Sequence, residues 1–123
     1  MLRTGPVPLF LHGLLEYAAG ALLVIAPFLF GFDSGAAKAT SIITGVLVIV
    51  VAAITESPTG IAKSLPLAAH VLIDFVLAGF LIAAPFLFGF SDEGAPTAFF
   101  IVIGIAHLLD TIGTRFRPAE ERD

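Results

Sequence analysis

Four apolar stretches follow one another along the chain, at 9–26, 39–55, 67–84 and 95–112, and polar turn or breaker residues separate them. Each holds 17 or 18 residues, which is about 26 Å of helix at 1.5 Å per residue. That length approaches the hydrocarbon core of a bilayer, roughly 30 Å, in which only helices and closed barrels satisfy the backbone. The pattern predicts an all-α membrane protein with four transmembrane helices.

The polar segments between the stretches predict how the helices are joined. The segments 33–35 and 91–94 are short turns, so each should close a helical hairpin. The middle segment begins with Glu56-Ser57-Pro58-Thr59-Gly60, a cluster of the kind that ends helices. The predicted organisation is an N-terminal segment 1–8, a repeat unit 9–56, a linker 57–66, a repeat unit 67–114 and a tail 115–123.

The two hairpins are copies of one unit. The phrase Ala26-Pro27-Phe28-Leu29-Phe30-Gly31-Phe32 recurs 58 residues later, at 84–90. After one inserted residue, a shift of 59 superposes Gly45 on Gly104 and Thr55 on Thr114. Because each unit crosses the membrane twice, both copies should have the same orientation, related by a pseudo-twofold axis along the membrane normal. Small residues should let the helices approach closely in a four-helix bundle: Gly13, Gly20, Gly45, Ala78, Gly79 and Gly104.

The repeated phrase places a proline and then alternating phenylalanines at the far end of each first helix. Pro27 and Pro85 should kink or end that helix, because proline cannot make its intrahelical hydrogen bond. The phenylalanines are typical of an aromatic belt at the external interface, with Gly31 and Gly89 permitting the turn. The alternative is an aromatic surface that binds a lipid, a quinone or a partner helix.

Composition and charge agree with a membrane location. The chain is 58% hydrophobic and only 13% charged, against about 25% in soluble domains. It has no cysteine, and the absence of a basic cluster with interleaved aromatics argues against a nucleic-acid partner. The expected partners are membrane lipid, other membrane proteins and a second copy of the chain.

The distribution of basic residues predicts the orientation. Lys38 is the one basic residue near the hairpin turns. The other five lie in or beside the two end segments and the linker, which places both termini in the cytoplasm of a bacterial inner (plasma) membrane. The first apolar stretch is not expected to be a signal peptide, because its copy lies mid-chain and Glu16 interrupts it. The five are Arg3, Lys63, Arg115, Arg117 and Arg122.

Ionisable residues within the spans gather toward the cytoplasmic side. The first helix of each repeat carries one pair at i,i+4 spacing, whose members share a helix face, and a third pair lies near the end of the fourth helix. The cluster comprises His12, Glu16, His70, Asp74, His107 and Asp110.

Three interpretations of this cluster compete. The first is local hydrogen bonding near the headgroups, with no further function. The second is a proton or cation relay, since histidine titrates near neutral pH. The third is a bound haem or metal ion, although His-x-x-x-Glu is not the ferritin-like spacing. The sequence shows no nucleophile triad, phosphate-binding loop or zinc-protease motif, so no catalytic, cofactor or metal residue is assigned and the cofactor stays unknown. The expectation is a non-enzymatic structural or accessory protein.

The hairpin plan resembles the SPW repeat, which defines a small family of bacterial membrane proteins with two transmembrane helices per unit. The resemblance covers both units and implies this fold and a membrane location; it implies no biochemical activity. The Ser-Pro-Trp of the family reads Ala-Pro-Phe in both copies here. The matching positions are Ala26, Pro27, Phe28, Gly31, Ala84, Pro85, Phe86 and Gly89.

Overall fold

The computed structural model describes residues 5–116, and in this part of the chain it contains four helices and no extended strand. All four are long and apolar enough to cross a membrane, which confirms the predicted fold class. Arg3, Arg117 and Arg122 of the charge count, and the outer parts of the predicted N-terminal segment and tail, lie outside the described residues. The helices are α1 (Leu9–Leu29), α2 (Gly35–Ile54), α3 (Leu67–Leu87) and α4 (Gly94–Gly113).

The first helix of each repeat runs three residues beyond its predicted end, through the proline. Pro27 lies in the last turn of α1, so it removes only the hydrogen bond to the carbonyl of Leu23, four residues earlier. The Ser41 hydroxyl donates to that Leu23 oxygen at 2.5 Å and takes the place of the missing bond. In the second repeat, Phe100 occupies the position equivalent to Ser41 and is fully buried. The proline is therefore tolerated differently in the two copies.

Helices pair within each repeat, α1 with α2 and α3 with α4, so the bundle is two hairpins side by side. The closest approach in the first hairpin is between Gly20 and Gly45. A Cβ atom on Gly45 would lie 2.6 Å from the Gly20 carbonyl oxygen. Gly104 meets α3 in the same way, with a Cβ there 2.8 Å from Ile82 Cγ1. Gly79 does not belong to this set, because a Cβ there would contact no described atom within 4 Å.

The two hairpin turns are tied to each other. Gly31 and Gly89 adopt positive φ angles of 62° and 72°, which glycine reaches without steric cost. The carboxylate of Glu93 then accepts hydrogen bonds from the backbone N–H groups of Asp33 (2.6 Å) and Ser34 (2.9 Å). Glu93 belongs to the second turn, which is one residue longer than the first, and its hydrogen bonds help to join the repeats at this end.

The phenylalanines of the repeated phrase divide between surface and core. Phe28 and Phe86 are exposed, as a belt at the interface requires, whereas Phe32 and Phe90 are buried in the core. Phe90 packs edge-on against Phe100 with ring centroids 5.2 Å apart. Large apolar side chains also cover the outer faces of the helices, where they contact lipid in a bilayer. Examples are Phe10, Leu14, Ile43, Leu47, Leu72, Val76, Val102 and Leu109.

Candidate functional site

Four ionisable side chains, two from each repeat, close into a ring between α1 and α3. His12 Nε2 lies 3.0 Å from Asp74 Oδ2 and 3.3 Å from Glu16 Oε2. His70 Nε2 lies 2.9 Å from Glu16 Oε2 and 3.2 Å from Asp74 Oδ2. Imidazole nitrogens and carboxylate oxygens therefore alternate around the ring, which we call the His–carboxylate ring.

The His–carboxylate ring is buried and joins the repeats. Its four residues are at most 4% exposed. Within the ring, the shorter of each histidine's two contacts is to the carboxylate of the other repeat, His12 to Asp74 and His70 to Glu16. This geometry differs from the first interpretation of the cluster, in which each helix carries its own isolated hydrogen-bonded pair near the headgroups. Since few residues contact each other between the hairpins elsewhere, the ring is a main polar link between the two copies.

A threonine hydroxyl orients each histidine from its other side. Thr114 Oγ1 lies 2.9 Å from His12 Nδ1, and Thr55 Oγ1 lies 2.7 Å from His70 Nδ1. Each hydroxyl donates its single hydrogen to the backbone carbonyl four residues earlier, at 2.5 Å in both cases. The hydroxyl can then only accept from the imidazole, so Nδ1 carries a hydrogen in both histidines. The Nε2 atoms of both point into the ring.

Backbone bridges hold the two threonines in place. Thr114 pairs with Val7, which precedes α1, and Thr55 pairs with Leu65, which precedes α3. In the first bridge Val7 N donates to Gly113 O at 2.9 Å. The end of each repeat's second helix is thereby fastened to the start of a first helix, and this fixes the hydroxyls next to the histidines. The ring thus lies at the end of the bundle opposite the hairpin turns.

Helix α4 adds two further groups that have no counterpart in α2. Asp110 Oδ2 lies 3.0 Å from His12 Nδ1, and His107 Nε2 lies 3.4 Å from Asp74 Oδ1. His107 is 8% exposed, and its Nε2 has no hydrogen-bond partner among the described residues. The equivalent positions in the first repeat are Val48 and Val51. The site is therefore symmetric in its ring and asymmetric in its surroundings.

Comparison with known proteins identifies the repeat. The chain matches the SPW repeat domain over residues 10–113, which includes all four helices. The chain belongs to the SPW repeat family. No curated protein and no solved structure matches it significantly. The family assignment supports a small membrane protein and brings no activity with it.

Two openings in this SPW repeat protein reach the ring. An apolar groove of about 580 Å³ lies between α2 and α3, and Glu16 and Asp74 are among its lining residues. A smaller cleft is lined by His12, Glu16 and His70 together with residues of the linker and helix starts, among them Ser57. The groove has apolar walls and so favours lipid chains, whereas the cleft presents polar atoms of the ring itself.

The structure brings all six residues of the sequence-derived cluster together, and it adds Thr55 and Thr114. The signal for the threonines was present, because they superpose on each other under the shift of 59 and directly follow the second helix of each repeat. Glu56, the acid next to Thr55, is exposed and lies outside the ring. Tyr17 is turned away as well, since its hydroxyl donates to the Thr59 carbonyl at 2.9 Å.

The geometry favours a small ion over a haem. One atom from each of the four ring residues lies within 4.8 Å of the others. Carboxylate oxygens occupy the space between the two imidazoles, so no porphyrin plane fits there. Two carboxylates and two imidazoles converging on one point suit several divalent ions.

Proposed function

We propose that this SPW repeat protein is a non-enzymatic accessory protein of the bacterial cytoplasmic membrane that holds a cation between its two repeats. The observation that carries the proposal is the His–carboxylate ring, whose acids are buried within membrane-spanning helices. Ionisable residues inside membrane segments are costly and mark functional sites. The ring concentrates four of them at one point.

Charge balance supports a bound cation. Glu16 and Asp74 bring two negative charges into a low-dielectric region, where an uncompensated charge is very unfavourable. One divalent ion at the centre of the ring supplies two positive charges and is shared by both repeats. One proton on each of His12 and His70 supplies the same charge with no ion in the ring, which is the case of a purely structural role.

Binding agrees with the structure better than passage across the membrane. Beyond the ring, the outer half of the bundle contributes few polar side chains. Ser41 is committed to the Leu23 carbonyl, and Thr40 and Thr44 line the apolar groove. A transport path needs polar groups at both depths, so a site filled from the cytoplasmic end is the simpler arrangement.

A purely structural role is the second candidate. The ring and the Glu93 hydrogen bonds tie the hairpins together at opposite ends of the bundle. Along the rest of the bundle, the helices make fewer contacts between the hairpins than within each hairpin. In this case the ring would join the repeats without a bound ion.

A thermal-melting screen separates the two candidates. Chelator-treated protein in mild detergent is melted with sodium, potassium, magnesium, calcium, manganese, cobalt and zinc ions in turn. We expect at least one ion to raise the melting temperature, because a ligand at 100 times its Kd stabilises by about 2.7 kcal/mol. The Glu16→Gln plus Asp74→Asn protein should lose this response, and the Asp33→Asn plus Asp92→Asn protein, altered only in the turns, should keep it. No response in the wild type would favour the structural role.

Orientation is a separate proposal, in which both termini and the linker face the cytoplasm. It is supported by the bias of basic residues toward that side, including Lys63 and Arg115. Single cysteines at Ser34 or Ser91 should react with a membrane-impermeant maleimide in intact cells, and one at Ser57 should react only after lysis. The chain has no native cysteine, so the background is clean. If the Ser57→Cys protein were the one labelled in intact cells, the orientation would be the opposite of the one proposed.

A further inference from the structure

We propose that the cation is a divalent first-row transition-metal ion, bound by His12, Glu16, His70 and Asp74. This inference rests on the proposed function, because it names the cation held by the His–carboxylate ring. Two independent features of the site carry it, the spacing of the ring atoms and the hydrogen bonds that orient the histidines.

The spacing of the ring atoms matches the edges of a coordination sphere. Ligands about 2.1 Å from a metal ion lie about 3.0 Å apart at neighbouring corners of a square and about 3.4 Å apart in a tetrahedron. The four edges of the ring are 2.9, 3.0, 3.2 and 3.3 Å. The ring therefore has the size at which an ion at its centre reaches all four atoms without rearrangement of the helices.

The threonines leave the correct nitrogen of each histidine available. Thr114 and Thr55 each accept a hydrogen bond from Nδ1, so Nε2 is the atom that can present a lone pair to a metal. Metal-binding histidines almost always donate their other N–H to an outer partner, which fixes the ring orientation. Both histidines of this site have such a partner, and the backbone bridges at Val7 and Leu65 hold it in place.

His107 lies beside the ring as a neighbour of Asp74. Its Nε2 is buried, makes no hydrogen bond in the segment 5–116 and lies 3.4 Å from Asp74 Oδ1, the carboxylate oxygen that is not part of the ring. Outer partners of this kind orient a ligating carboxylate. The first repeat carries Val48 at this position, so this neighbour comes from the second repeat alone.

The ligand chemistry indicates the class of ion. Two imidazole nitrogens with two carboxylates suit manganese, iron, cobalt, nickel, copper or zinc. Magnesium and calcium prefer oxygen ligands, and this chain offers no thiolate for softer ions.

Cobalt titration tests the inference. Detergent-purified, chelator-treated protein is titrated with Co²⁺ while its visible absorption is recorded. We expect saturation at one ion per chain, with a spectrum of nitrogen and oxygen ligation and displacement by Zn²⁺. The His107→Val protein, which carries the residue found in the first repeat, should bind about 10-fold more weakly, because it lacks a neighbour of the ligand Asp74. The turn variant Asp33→Asn plus Asp92→Asn should bind as the wild type does.

Variants of the orienting threonines keep the test decisive if loss of a carboxylate prevents folding. Thr55→Val preserves shape and all ring residues, and we expect Co²⁺ affinity to fall about 10-fold or more, because removing an outer partner of a ligand costs 10- to 100-fold. Folded wild-type protein that binds neither Co²⁺ nor Zn²⁺ saturably would overturn the inference. If calcium, magnesium or a monovalent ion alone then stabilises the protein through the ring, the proposed cation-binding function stands and only the transition-metal inference is wrong. If no cation stabilises the protein, both the function and the inference are wrong.

Discussion

The Gly45→Val protein should fail to form a stable first hairpin. A Cβ at this position would lie 2.6 Å from the Gly20 carbonyl oxygen, 2.8 Å from Val24 Cγ2 and 2.9 Å from Leu23 Cβ. The first of these contacts is with backbone, which cannot rotate away, so α1 and α2 must separate. Overpacking a well-packed site costs 1–3 kcal/mol and more where the backbone has to move, so we expect a loss of about 3 kcal/mol in the free energy of unfolding.

Gly79→Val is the matched control for this experiment. The same substitution in α3 meets no described atom within 4 Å, so the added side chain faces open space that lipid fills in a bilayer. Its melting temperature in detergent should match that of the wild type. Equal destabilisation by both variants would mean that helix propensity, and not the Gly20–Gly45 contact, determines the effect.

The Asp74→Asn protein should lose the link between the repeats. Asp74 contacts three imidazoles, at 3.0 Å from His12, 3.2 Å from His70 and 3.4 Å from His107. Removing one partner of a buried ion pair costs 3–5 kcal/mol, because the remaining charges are left uncompensated. We expect a loss of about 3 kcal/mol in the free energy of unfolding, measured by denaturant titration in detergent.

The control for Asp74→Asn is Asp92→Asn, in the exposed second turn, which removes a carboxylate of the same type outside the ring. It should change the free energy of unfolding by less than about 0.5 kcal/mol. A stable Asp74→Asn protein that keeps its hairpins docked would contradict the role of the ring in joining the repeats.

The fold followed from the sequence because two strong patterns coincide in it. Four apolar spans of bilayer length and a seven-residue phrase repeated 58 residues later leave little choice but two hairpins in tandem. Element ends were less predictable. Pro27 and Pro85 indicate helix ends, yet α1 and α3 continue to Leu29 and Leu87, and in α1 the Ser41 hydroxyl compensates the lost hydrogen bond. That compensation comes from another helix, which no local pattern reports.

The members of the ring could be predicted from the sequence, but their pairing could not. Spacing of four residues places His12 with Glu16 on one helix face, and it does not state which helix that face meets. The structure pairs each histidine across the repeats, so the contacts depend on how the two hairpins dock.

The asymmetry of the site was visible in the aligned repeats but had no meaning before the fold was known. Val48 and His107 superpose under the shift of 59, and only the structure shows that this position faces Asp74. In the sequence, Thr55 and Thr114 are only an identical pair in the aligned repeats. The structure shows that the backbone bridges place each of them beside a histidine. The duplication accounts for the ring, and the difference between the copies at positions 48 and 107 accounts for its asymmetric surroundings.

The most direct test of the account is the metal content of the protein purified in mild detergent from its own membranes. Elemental analysis should find about one transition-metal ion per chain in the wild type and none in the Glu16→Gln plus Asp74→Asn protein. Intact, folded wild-type protein carrying no such ion would contradict the claim that the His–carboxylate ring is a metal site.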